Sequence, residues 1–498
     1  MNRTLRLTPS RITSSLLLCA ALSATALAGA APPPPPTAVE QVTLESKLAG
    51  VLGRPGGLTS EAVGTRAEAT SFEAAARRED LAAAVAAVDQ ALVAYFPKVT
   101  VTGRYTRLSP IDPPALGPSN FVVTTPGVAP YTTPLTDSQL VAAPPLSFPV
   151  ILDNFLLQGT VNVPLSDYLL RIPQSYAAAT QNQKAAALSE KAARKKNAAD
   201  AKVAYYTWVR AKLQEIVDEQ ALAQARAHLV DAQHAFDAGT ASRADVLSSE
   251  SRVAQSQLLV EQTANLRIVS EAQVRVVMHD RAVTPYEIGE AIDTAIPAQR
   301  NSDNLAAMLT EAKSTRLEIR AFDESARSLG EQARVARAGH VPRIDGFADL
   351  IYANPNPRIF PAQGTFRTTW DVGVQLTWSP NDIGLSAASS ASLEARAASL
   401  VAQRQVMEDG IELEVTRARN ALREALLALD TTARGLAAAE ESYRVRRSLF
   451  QNGRATNVEL TDAETDLTRS RLLSINARVN LRVAHVVLEH ALGRDVGR

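Results

Sequence analysis

The spacing of apolar residues along this chain switches between two periods, and the switching repeats. From Phe72 to Tyr95 the spacing is helical and alanine-rich, and Pro97 ends it. Lys98 to Leu108 then alternates. Val99, Val101, Gly103 and Tyr105 fall on one face, and Lys98, Thr100, Thr102, Arg104 and Thr106 fall on the other. A second alternating run, Phe155 to Leu165, sets Phe155, Leu157, Val161, Val163 and Leu165 against Gln158, Thr160 and Asn162. Gln174 to Ala238 follows without proline or glycine, enough for a helix of roughly 100 Å. Gly239 ends it, and a second helix is predicted from Ser242 to His279.

The order then recurs. A helix is predicted over Ser302–Ala338. Arg343–Tyr352 is a weaker strand with Ile344, Ala348, Leu350 and Tyr352 on one face. In Phe366–Trp378, Trp370, Val372, Val374, Leu376 and Trp378 alternate with Thr369, Asp371, Gly373, Gln375 and Thr377. Leu385–Phe450 and Thr456–Leu492 are helices separated at Gly453. Residue matches support a duplication: Phe236, Gly239, Ser242 and Asp245 align with Phe450, Gly453, Thr456 and Glu459. The predicted organisation is a signal peptide over 1–30, a linker or extension over 31–71 with a flexible glycine loop at 53–57, and a first repeat over 72–280. That repeat holds strands 97–108 and 155–167 and a helical hairpin over 174–280. A connector over 281–301 leads to a second repeat over 302–498, with strands 342–353 and 366–378 and a hairpin over 385–493.

The N-terminus adds an address. Arg3, Arg6 and Arg11 precede an apolar run from Ile12 to Leu27, and Ala28 and Ala30 stand as an A-x-A site, the order of a secretory signal. The only cysteine, Cys19, lies in that run, so a mature protein without disulfides or Cys-bound zinc is expected. No later segment offers about 20 consecutive apolar residues, which leaves periplasm, medium or an outer-membrane β-barrel. With 52 basic and 52 acidic residues nothing points to a nucleic-acid partner. Aromatics at 5% favour long helices packed through small side chains over one large globular core.

Strands with an apolar outer face cannot stand in lipid with open edges; only a closed barrel pairs every backbone group. Single-chain barrels need about eight strands or more, so four strands demand an oligomer. Trp370 and Trp378 lie roughly 26 Å apart along one strand and on one face, a spacing suited to the two aromatic girdles of a membrane barrel. The competing reading is a soluble, half-buried sheet with core tryptophans. The long proline-rich stretch between the first two strands is expected to be an external loop.

This ordering resembles the TolC-like outer-membrane efflux protein family over nearly the whole mature chain. The resemblance is carried by Phe236-x-x-Gly239-x-x-Ser242-x-x-Asp245 and Phe450-x-x-Gly453-x-x-Thr456-x-x-Glu459, and by Leu317–Ala321 through Gly339–Pro342. It implies a mostly α fold with membrane β-strands: a long α-helical hairpin barrel, plus four strands per chain contributing to a trimeric 12-stranded β-barrel. It also implies a homotrimer in outer-membrane lipid, with a periplasmic tunnel whose tips dock a periplasmic adaptor protein and an inner-membrane pump. The chain departs from the family pattern at Trp378-Ser-Pro-Asn-Asp-Ile-Gly, in its long first external loop, and before Phe72.

The expected sites follow. Phe236, Gly239, Ser242, Asp245, Phe450, Gly453 and Thr456 mark the hairpin tips and adaptor docking. Glu459 and Asp462 are three apart, on one helix side, and match the acidic positions that ring the family's periplasmic gate. Capping explains Glu459 equally well, since Thr456-x-x-Glu459 is a capping box. Arg104, Asp371 and Gln375 are expected in the barrel lumen. His228, His234, His485 and His490 lack ligand spacing and read as ordinary surface or interface histidines, so no metal or other cofactor is expected. No catalytic constellation appears. The rival to a passive export duct is a periplasmic coiled-coil adaptor, which has one hairpin and separate β-domains; a hydrolytic enzyme is a distant third.

Overall fold

The computed structural model describes residues 44–111, 121–123, 140–142, 150–281, 284–292 and 304–494. The expected signal peptide with Cys19, the linker up to residue 43, most of the long external loop and part of the connector lie outside these residues. Within them, the strand–hairpin unit occurs twice.

In the first half, α3 (Phe72–Val93) leads into β1 (Lys98–Arg107). The loop beyond carries a small antiparallel ladder of β2 (Phe121–Val123) and β3 (Leu140–Ala142), where only irregular chain was expected. Then come β4 (Asp153–Val163), the short α4 (Asp167–Leu170), α5 (Ile172–Asp237) and α6 (Arg243–Val277). β4 stops short of the expected boundary at 167. Pro164 has no N–H for the ladder, and the chain turns helical from Ser166. In the second half, α7 (Leu305–Thr315) and α8 (Leu317–Arg337) precede β5 (Arg343–Asn354) and β6 (Arg367–Thr377). The helices α9 (Asn381–Gln451) and α10 (Asn457–Ala491) close the chain.

The four long strands form one antiparallel sheet in the order β1-β4-β5-β6. Its register aligns the apolar sets. Val101 faces Gly159, Gly159 faces Leu350, and Leu350 faces Trp370. One face therefore carries Val99, Val101, Tyr105, Leu157, Leu350, Trp370, Val372, Val374 and Leu376, all of them exposed. The outer edges of β1 and β6 pair with no other described strand.

The helices pack through a narrow, small-residue seam. On α5, Ala178, Ala185, Ala192, Ala199, Tyr206 and Leu213 recur at every seventh position and are all buried. On α9 the buried Ile411, Val415, Ala418, Leu422 and Ala425 alternate steps of four and three. This is the repeat of supercoiled helices, with alanine letting the backbones approach closely. In the lateral order, α5 lies between α6 and α10, and α9 packs on α10; α8 bridges α5 and α9. The lateral surfaces of α6 and α9 are left with exposed apolar side chains, among them Leu258, Leu266 and Val269, and Val401, Val406 and Leu427.

Three expectations need correction. Residues 31–71 were expected as a linker or extension, and within them 44–70 contain α1 (Leu44–Val51) and α2 (Ser60–Thr70). Val63 and Ala67 are fully buried against Tyr205, Trp208 and Val209, and Glu61 pairs with the buried Lys202. The expected flexible glycine loop is pinned to the connector. Leu58 N–H donates to the Glu287 carbonyl at 2.7 Å, and Gly289 N–H donates to the Leu58 carbonyl at 2.8 Å. The predicted single helix over Ser302–Ala338 breaks at Arg316, whose backbone is extended. The break lets the buried Arg316 guanidinium donate to the His490 and Ala491 carbonyls at the end of α10 and pair with Glu414. The His490 carbonyl also accepts from Gly493 N–H at 2.9 Å, and the arginine adds donors to this last turn, where carbonyls lack helical partners.

The close crossing at Gly57 and Gly289 requires glycine. A Cβ on Gly289 would sit 2.3 Å from the Gly57 carbonyl oxygen. Gly289→Ala is therefore expected to loosen the N-terminal segment at a cost of about 1–3 kcal/mol. Faster proteolytic cleavage within residues 44–70 checks this; wild-type cleavage kinetics would contradict it.

Candidate functional site

Each hairpin turn is built the same way. At the end of α5, Gly239 has φ +74° and its N–H donates to the Phe236 carbonyl at 2.9 Å, while Thr240 N–H reaches the Ala235 carbonyl at 2.9 Å. At the end of α9, Gly453 has φ +68°; its N–H reaches the Phe450 carbonyl at 2.9 Å and Arg454 N–H the Leu449 carbonyl at 2.8 Å. Both are Schellman endings, which need a left-handed residue and so favour glycine.

The next helix starts at once with a reciprocal box. Ser242 Oγ accepts from Asp245 N–H at 3.2 Å, and Asp245 Oδ2 accepts from Ser242 N–H at 2.9 Å. Thr456 and Glu459 repeat this at 3.3 and 2.9 Å. The Thr456 N–H, then its hydroxyl, hold the Glu459 carboxyl below the usual carboxylate range. The Ser242 hydroxyl, then its N–H, do the same for Asp245. Glu459 also lies 3.6 Å from Arg446. Its carboxylate is thus engaged in the turn. Asp462 is exposed one turn further along α10, and its carboxylate makes no hydrogen bond or ion pair among the described residues. Phe236 is partly exposed at the first turn, and Phe450 packs edge-on to the His228 ring at 5.5 Å.

The sheet separates its two faces by chemistry. Trp370 lies within β6 and Trp378 just past its end; both are exposed. Register brings together four further aromatics. Tyr105 meets Phe155 in a tilted contact at 4.9 Å, Phe155 reaches Phe366 at 6.0 Å, and Phe366 stacks on Tyr352 at 5.0 Å. Alternation places Tyr105, Phe155 and Tyr352 each on the apolar face of its own strand, but only the pairing across β1, β4, β5 and β6 makes them one belt. On the opposite face Asp371 stands directly across from Asp349, a like-charged pair that needs compensation. Asp349 accepts from Gln158 at 3.0 Å and from Thr160, and Asp371 pairs with Arg358. Gln375 lies opposite Asp345 on this face, and Arg104 opposite Leu156.

One buried cluster escaped the sequence reading. His228 on α5, expected as a surface or interface residue, is 4% exposed and meets Asn457 and Glu464 of α10, themselves 7% and 6% exposed. A signal was available: Asn457 and Glu464 are seven apart and alternate with the buried Leu460 and Leu467, so they are polar residues on a packing seam. Among the described residues no group of acidic, histidine or cysteine side chains is arranged to hold a metal ion.

Residues 308–494 match the family model described as outer membrane efflux protein. That match covers most of the second repeat. By sequence, no curated relative matches. Among solved structures, the outer-membrane channel OprN superposes with a TM-score of 0.69 at 18% identity, over 87% of this chain and 89% of that one. The outer membrane protein VceC from Vibrio cholerae superposes with a TM-score of 0.69 at 16% identity, over 87% and 96%. For the Campylobacter jejuni CmeC outer membrane channel the TM-score is 0.69 at 12% identity, over 88% of each chain. At these identities the likeness is one of fold, and it extends over both repeats.

The capping box makes a local prediction. Thr456→Ala removes about 1 kcal/mol of helix-start stabilisation, so amide exchange over residues 457–460 should quicken roughly fivefold. Unchanged exchange there would contradict the cap.

Proposed function

We propose that the chain is one protomer of a passive, trimeric export duct in the outer membrane, opened at its periplasmic tips by an adaptor and an inner-membrane pump. The observation that carries this reading is a single four-stranded sheet with an exposed apolar face and two open edges. In lipid those edges must pair, and three copies joined β6 to β1 give a closed antiparallel barrel of twelve strands. The apolar face then meets lipid, with Trp370, Trp378 and the Tyr105–Phe155–Phe366–Tyr352 belt as interfacial anchors. The opposite face, with Arg104, Asp371 and Gln375, lines the lumen. The same operation covers the exposed apolar flanks of α6 and α9 with each other, closing the helices into a tunnel.

The adaptor alternative fits less well, because two hairpins share one sheet and no separate β-domain stands among the described residues. The duct does no chemistry of its own; energy enters through the pump. At the periplasmic end, Glu459 sets the turn and Asp462, free of partners, supplies carboxylate to the narrow point in three copies. The tips around Phe236, Gly239, Phe450 and Gly453 meet the adaptor.

Cell fractionation tests the location: the protein should be recovered with outer-membrane lipid, and release with soluble periplasmic proteins would contradict the duct. Replacing Glu459 and Asp462 together by alanine should raise single-channel conductance in planar bilayers and weaken cation selectivity. Unchanged conductance and selectivity would remove both residues from the constriction.

A further inference from the structure

We infer that His228, Asn457 and Glu464 form a clasp that positions the second hairpin turn against the first hairpin while the His228 ring is doubly protonated. The location of the clasp rests on the structure alone; its consequence for conduction rests on the channel reading above.

His228 Nδ1 lies 3.0 Å from Glu464 Oε2, and His228 Nε2 lies 2.7 Å from Asn457 Oδ1. Asn457 Nδ2 is committed as a donor to the Asp245 carbonyl at 3.4 Å, which orients the amide with its oxygen toward the ring. Both ring nitrogens therefore face acceptors. A neutral imidazole has one N–H and can serve only one of them; the imidazolium has two and serves both. The bond to Glu464 is then charge-assisted, in a site nearly closed to water.

The three residues join elements that matter at the tips. Asn457 is the first residue of α10, beside the Thr456–Glu459 box, and Asp245 belongs to the matching box of α6. One chain of contacts thus runs from α5 through the start of α10 to the start of α6, with Phe450 of α9 against the same ring. The second turn is held at its cap by a histidine of the first hairpin.

Other charged groups bear on this ring. Asp231 acts on it from α5, and Glu464 from α10. On the α9 side, Tyr443 is within electrostatic reach of Glu464, Asp231, Arg447 and Arg471. Burial works against the charged ring, but Glu464, Asn457 and Asp231 outweigh it and hold the His228 pKa above its ordinary value. The sign follows. A raised folded-state pKa gives stabilisation that is complete below the ordinary histidine range and is lost as pH rises through the folded value. The clasp is closed in mild acid and loosens on the alkaline side.

Hydrogen–deuterium exchange of the full-length protein, corrected for intrinsic rates, tests this. Between about pH 5.5 and about pH 8.5, protection over residues 456–467 should fall about tenfold, as expected for losing a hydrogen bond to a charged group. His228→Gln keeps a polar side chain but cannot become cationic, and should show low protection that does not change with pH. Glu464→Gln should flatten the profile likewise. Exchange over residues 178–213 of α5 serves as the folding control and should match wild type. Protection independent of pH in the wild type, as a neutral ring with a turned Asn457 amide would give, overturns the proposal, as does a wild-type slope in His228→Gln. Bilayer conductance measured in parallel separates the two readings. If exchange follows pH and conductance does not, the clasp stands and the channel role of the tips fails.

Discussion

A β-sheet edge in lipid exposes backbone N–H and C=O groups that nothing there can satisfy, and this constraint organises the whole protein. The sheet has four strands, and in the proposed duct its two edges are met by copies of itself. The order β1-β4-β5-β6 leaves one edge from each repeat, and the register gathers the apolar residues of all four strands on one side. In the proposed shared barrel, the helices that continue from the strands run alongside those of neighbouring copies. The alanine seam of α5 suits that arrangement, since small side chains let neighbouring helices approach closely along its length.

The helices then present their own constraint. A run as long as α5 or α9 ends in carbonyls without partners, and the following helix begins with N–H groups without partners. Gly239 and Gly453 resolve the first problem, and Ser242 with Asp245 and Thr456 with Glu459 resolve the second. The turns are accordingly stiff units. Between hairpins, where α5 meets α10, the buried His228 group makes contact close to the turns.

Much of this was legible from the residues. Period-two runs located all four long strands, and the repeated Phe-x-x-Gly-x-x-Ser/Thr-x-x-Asp/Glu located both turns, because each position answers a local backbone demand. Legibility failed where the demand was not local. Residues 44–71 read as a linker because their alanine and glycine content carries little periodic signal; they are ordered by Tyr205 and Trp208, more than a hundred residues away. The break at Arg316 has no proline or glycine to announce it, since its cause is the end of α10. The aromatic belt needed cross-strand register. His228 looked ordinary because its meaning lies in two residues of another helix. For Glu459 the structure details the capping role foreseen, whereas the lumen and gate assignments depend on neighbouring copies.

The central claim is that β6 of one copy pairs with β1 of the next until three chains close. Cysteine pairs placed along β1, around Val101, and on β6, around Val372, test this most directly when oxidised in the membrane and resolved by denaturing electrophoresis. The account predicts that a few registers cross-link efficiently and that the products end at three chains. Absence of cross-links in every register, or a ladder continuing past three, would contradict it.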